Sequence, residues 1–128
     1  MELIIRNKTN APAGYDRSGK TARCSFMKNG VFSLNRAAVA KLKLKAGDKI
    51  SIAQEKNEPR NCYIYKDKDG FELRVHSSKG LLFANRATLV DTLESVGYDS
   101  SVTHSFLITS EPTVWNKVSY FGILIPEL

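Results

Sequence analysis

Apolar and polar residues alternate in short runs along much of the chain, and each run ends at a turn signal. After "ELIIR", Ala22, Cys24 and Phe26 alternate with Arg23 and Ser25 and stop at "KNG", which predicts a strand closed by a turn. Two apolar runs, "VFSL" from Val31 and "LLFA" from Leu81, each lead into an Asn that can cap a helix by accepting a free backbone N–H. A helix of about ten residues is expected after each cap. Val39 and Leu42 face inward in the first, Leu89 and Leu93 in the second, and Gly47 and Gly97 supply the left-handed residue that ends each one. Further on, "CYIYK" and "FELRV" flank "DKDG", the signature of a hairpin. A four-residue turn pairs Lys66 with Phe71. That register puts Cys62, Ile64, Leu73 and Val75 on the core face and Tyr63, Tyr65, Glu72 and Arg74 on the other.

The two strand–Asn–helix runs resemble each other. At an offset of 50, Gly30, Asn35, Arg36, Ala37 and Gly47 recur as Gly80, Asn85, Arg86, Ala87 and Gly97. Downstream, "EPRNCYIYKDKDGFEL" is answered loosely by "EPTVWNKVSYFGILI". The expectation is an α+β fold in a single domain spanning 1–128. Residues 1–29 supply N-terminal strands and a basic loop. Two similar strand–helix–hairpin units, 30–76 and 80–126, then follow in tandem as one compact pseudo-twofold body with mainly antiparallel sheet.

Composition narrows the class. A chain of 128 residues, 42% hydrophobic and 25% charged, is that of an ordinary globular domain with a real core. No run approaches the ~20 apolar residues of a membrane span. "MELIIRNK" lacks a cationic start and a long apolar region, so a cytoplasmic location is expected. Cys24, Cys62, His76 and His104 are isolated, with no metal-ligand spacing, and the cysteines read as buried apolar residues. No cofactor, metal or enzyme activity is expected, since no paired carboxylates, nucleophile motif or metal spacing is present. Charge is less even. Residues 1–50 carry 11 Lys/Arg against 3 Asp/Glu, and residues 51–128 carry 8 against 10, for a net +6. That asymmetry points to an anionic partner met by the N-terminal part.

"GYDRSGKT", residues 14–21, fits the phosphate-loop pattern G-x-x-x-x-G-K-[ST]. A working phosphate loop needs a buried strand before it and a helix after it, whose N-terminal dipole faces the anion. Here "NKTNAPA" precedes Gly14 and a strand pattern follows Thr21. The stretch therefore reads as a polar loop, with no nucleotide triphosphate bound.

"LNRAAVAKLKLKAGDKISI" resembles the AbrB/MazE-type swapped-hairpin DNA-binding family, whose half-unit runs strand, short helix, L-x-L-x-x-G-D, strand. Leu42, Leu44, Gly47, Asp48, Ile50 and Ile52 fall on that pattern, and the likeness covers residues 31–52. The family's usual Pro at the helix start is Asn35 here. The second copy, "LESVGYDSS", lacks the motif. The resemblance implies interlocked hairpins that present basic residues to DNA.

These readings converge on a small cytoplasmic nucleic-acid-binding protein of regulatory type. Its phosphate contacts are expected from Arg17, Lys20 and Arg23 in the N-terminal part and from Arg36, Lys41, Lys43 and Lys45 on and after the first helix. Arg36 and Lys43, seven residues apart, would share a helix face. Tyr63 and Tyr65, with Arg74 beside them, are candidates for stacking unpaired bases. The alternative is a structural or protein-interaction domain with no nucleic-acid role; a homodimer suits either. The two differ in whether the positive charges of residues 17–45 cluster once folded.

Overall fold

The computed structural model describes residues 21–76, 80–109 and 111–127. Strands hold 46% of them and two short helices 17%. The fold is therefore mainly β, which corrects the expectation of an α+β tandem of strand–helix–hairpin units.

In chain order the elements are β1 (Arg23–Phe26), β2 (Val31–Leu34), α1 (Arg36–Leu42), β3 (Lys49–Glu55), β4 (Glu58–Lys66), β5 (Phe71–Glu72) and β6 (Arg74–Val75). There follow β7 (Leu81–Ala84), α2 (Arg86–Ser95), β8 (His104–Ile108), β9 (Thr113–Trp115) and β10 (Val118–Leu124). All but β9 lie in the order β5-β3-β4-β10-β8-β1-β2-β7-β6, with β9 paired to β10. Every pairing is antiparallel. The ends of this order, β5 and β6, are separated in the chain by Leu73 alone. Leu73 donates its N–H to Asp48 O and accepts from Gly47 N–H, both at 2.8 Å, and its side chain is buried. The sheet thereby curls into a nearly closed barrel, which leaves few open edges.

This topology explains why the tandem units fail. Neither half of the chain completes its own sheet. β2 pairs with β7, β4 with β10, β1 with β8 and β6 with β7, so each half lends strands to the other. The expected Lys66–Phe71 hairpin fails because a strand from earlier in the same unit lies between its two arms. Ile50 on β3 pairs with Lys66 on one side and Phe71 on the other, so the 67–70 turn carries the chain across the end of β3. Cys62, Ile64 and Leu73 are buried as expected, but Val75 is 72% exposed on β6.

Alternation sets which side chains fill the barrel. Cys24 and Phe26 of β1, and Ala22 just before it, are buried, as their spacing predicts. Five phenylalanines then form a continuous stack. Phe106 meets Phe26, Phe26 meets Phe32, Phe32 meets Phe83, and Phe83 meets Phe71, with ring centroids 4.5–5.7 Å apart. Those residues come from β8, β1, β2, β7 and β5, so one aromatic spine ties five strands together.

The helices pack against the sheet, α1 burying Ala38 and Leu42 and α2 burying Leu89, Thr92 and Leu93. Asn35 Oδ1 accepts from Ala38 N–H at 2.9 Å and from Arg23 N–H at 3.1 Å, while its Nδ2 donates to Thr21 O at 2.8 Å. It both caps α1 and fastens the helix to the start of β1. Asn85 caps α2 through one bond, from Thr88 N–H at 3.0 Å. Asn35→Ala should therefore cost about 2–3 kcal/mol and Asn85→Ala about 1 kcal/mol in denaturant melts. Equal losses would mean that only the capping bond matters at position 35.

Candidate nucleic-acid interface

The longest cationic run of the sequence, 41–45, sits where α1 ends. α1 stops at Leu42, and Lys43 takes the left-handed conformation (φ 55°, ψ 48°) that a glycine would be expected to hold. Its N–H donates to Ala40 O, and Leu44 N–H reaches back to Val39 O at 3.0 Å. Gly47 is also left-handed, but it lies in the next turn and does not end the helix. There the Asp48 carboxylate accepts from Lys45 N–H at 3.0 Å. On α2 the expectation holds better. Gly97, at φ 83°, donates to Glu94 O, and Tyr98 N–H reaches Leu93 O.

Because the helix ends early, Arg36 and Lys43 do not share a helix face. Lys43 turns instead toward an open cleft of about 570 Å³ at one end of the barrel. Lys41 and Lys43 from the end of α1, Lys66 from the end of β4 and Lys117 from the β9–β10 turn line it. Its floor is apolar, formed by Leu42, Leu44, Ile50 and Phe121, and Tyr65 makes one wall. No carboxylate is among the described residues that line it. None of the four lysines pairs with an acidic side chain among the described residues, where the ion pairs are those of Arg60 with Glu58 and Glu127. Lys66 Nζ donates to Lys43 O at 3.0 Å, a cation on the negative end of the helix.

The other expected cations are dispersed. Arg17 and Lys20 lie outside the described residues, as does the phosphate-loop pattern up to Lys20. Arg23 is half-buried on β1, and its Nη2 is enclosed without a hydrogen-bond partner among the described residues. Arg36 and Lys45 are exposed but do not line the cleft. Arg74 is exposed on β6, beside β7, and does not join the tyrosines of β4. Sequence reasoning missed Lys66 and Lys117, which the fold brings to Lys41 and Lys43.

Tyr63 and Tyr65 do share a face, and Tyr120 of β10 joins them. Its ring lies 4.8 Å from Tyr65 and 6.1 Å from Tyr63. The Tyr65 hydroxyl points to Asp67 Oδ2 at 3.4 Å, and burial followed by the nearby Asp67 charge holds its proton more tightly than usual. The Asp67 carboxyl is held below its ordinary range by the Asp69 N–H and the Ser51 hydroxyl, the latter at 2.8 Å. Tyr65 thus stays a neutral wall of the cleft.

Cys24 and Cys62 are free thiols buried in the core. Burial pushes Cys62 up to about 12 and raises Cys24 too, with Cys62 adding to the effect, so neither is an activated nucleophile. Among the described residues no group of three His, Cys, Asp or Glu could hold a metal, and no helix is long and apolar enough to cross a membrane. Comparison with family models, curated proteins and solved structures finds no match for the chain.

Lys43 offers a test that separates stability from binding. A left-handed conformation costs a side-chain-bearing residue about 1–2 kcal/mol, partly offset in glycine by unfolded-state freedom. Lys43→Gly should therefore raise stability by about 0.5–1 kcal/mol in urea melts while weakening anion binding at the cleft. A loss of stability would show that the Lys43 side chain itself supports the fold.

Proposed function

We propose that this chain is a nucleic-acid-binding module, with the cleft between α1, β4 and the β9–β10 turn as its phosphate-contacting surface. The observation that carries the reading is the convergence of Lys41, Lys43, Lys66 and Lys117 on one cleft without a lining carboxylate. Four lysines from three separate elements, none ion-paired among the described residues, make the cleft positive and favour an anionic ligand there. Lysine suits this task as a mobile point charge that meets phosphates without reading bases. The likeness of residues 31–52 to the AbrB/MazE-type segment points the same way, because that segment supplies two of the four lysines.

The test is a titration of labelled single- and double-stranded DNA against the protein at several salt concentrations. Affinity should fall with salt along a straight log–log line, with a slope of about −2 to −3 on a single strand and about −3 to −4 on a duplex for three or four phosphate contacts. Binding that ignores salt would remove the lysines from the account.

A further inference from the structure

We infer that the cleft's ligand is a single strand whose unpaired bases stack on an aromatic arm formed by Trp115 and Tyr120. This rests on the phosphate-binding reading of the lysine cleft and names the form of nucleic acid that fits it. β9 and β10 form a hairpin whose two turn residues, Asn116 and Lys117, are both left-handed (φ 50° and 64°), the geometry of a tight two-residue turn that matches the strand twist. The turn fixes the arm. Trp115, at its end, is 65% exposed. With the equally exposed Val114 and the tyrosines of the same groove it forms a contiguous apolar patch, the kind that marks a binding surface.

The arm is continuous with the cleft. Trp115 lies 6.5 Å from Tyr120, and Tyr120 lies 4.8 Å from Tyr65, which walls the lysine cleft. Trp115, Tyr120 and Tyr63, with Ala53 as a small neighbour, line a groove of about 490 Å³. Lys117 is two residues from Trp115 and lines the adjoining cleft. A ligand that covers both sites must carry flat π-faces and repeated negative charge side by side, which is the chemistry of a nucleotide strand. Glu55 lines the groove, so its charge turns the phosphates toward the lysines and leaves the groove to the bases. In a duplex the base faces are already stacked on one another, and the platform would have nothing to receive. An unpaired strand presents them freely.

Trp115 is the chain's single tryptophan, so its emission reports the arm directly. The intact protein is titrated at ~0.1 M salt with dT15, rU15 and a 15-base-pair DNA duplex. Tryptophan emission is followed together with the anisotropy of labelled strands. Single strands should quench Trp115 strongly and the duplex little. The comparison of dT15 with rU15 then assigns the strand as DNA or RNA. Trp115→Ala should weaken single-strand binding about 10-fold or more with its salt slope unchanged, and Trp115→Phe should restore most of the loss. If single strands bind with a salt slope but leave Trp115 emission and the Trp115→Ala affinity untouched, or if the duplex quenches equally, the stacking arm is wrong while the phosphate cleft stands. Absence of binding by all three would overturn both.

Discussion

Replacing Lys41, Lys43, Lys66 and Lys117 together by Ala should flatten the salt slope of single-strand binding by up to ~3 units. Each cation that meets a phosphate releases counterions, worth ~0.7 units of slope on a single strand and ~0.9 on a duplex. Four contacts on a single strand then carry ~2.8 log units of affinity between 1 M and 0.1 M salt, so the variant should bind on the order of several hundred-fold more weakly at 0.1 M. The loss should be similar for all sequences, because ammonium groups on phosphates carry no base information. Stability should change little. All four residues are exposed, and among the described residues their side chains give up a single hydrogen bond, from Lys66 Nζ to Lys43 O. A control that replaces Arg36, Lys45, Arg74 and Lys49, equally exposed but off the cleft, removes the same charge. Equal effects from both sets would mean that net charge alone governs binding.

Gly70→Ala should be the most damaging small substitution in the described fold. The 67–70 turn carries the chain across the end of β3. A Cβ at Gly70 would sit 2.3 Å from Ile50 O, 2.5 Å from Ile50 C and 2.9 Å from Ile50 N. All three are backbone atoms of a strand residue paired on both sides, so none can rotate away. Either the turn lifts from β3 or the β3–β5 pairing breaks, and with it the closure through Leu73. A loss on the order of 3 kcal/mol follows, which for a domain of this size lowers Tm by roughly 10–15 °C. Gly47 provides the contrast. It is left-handed but has open space around a Cβ, so Gly47→Ala should cost about 1 kcal/mol. If Gly70→Ala costs no more than Gly47→Ala, the turn does not pack on Ile50.

What could be read from the residues was local. The alternation of Ala22, Cys24 and Phe26 places them in the core, and Asn35 and Asn85 are legible as helix caps because the capping bond of each spans only three residues. What could not be read was long-range pairing. "CYIYK" and "FELRV" have the chemistry of a hairpin, and nothing in them records that β3, from earlier in the chain, lies between them. Only Gly70 carries a trace of that crossing, and a glycine in "DKDG" is equally expected of an ordinary turn. The candidate site suffers likewise. Counting charges along the chain places the cationic surface in residues 1–50, whereas folding brings Lys66 and Lys117 to Lys41 and Lys43 and leaves Arg36 outside. The one legible hint of the arm was "WNK" between two alternating runs, where Asn can adopt the left-handed conformation, but Asn-Lys is a weaker hairpin signal than Asn-Gly.

The most direct test of the phosphate-binding account is the anisotropy of a labelled 15-nucleotide strand titrated with the unmodified protein from ~0.05 to ~0.3 M salt. The account predicts saturable binding near 0.15 M and a log–log slope of about −2 to −3, lost on replacement of the four cleft lysines. No titratable binding at ~0.15 M salt would contradict it, because only weak nonspecific attraction of a net +6 protein would then be left.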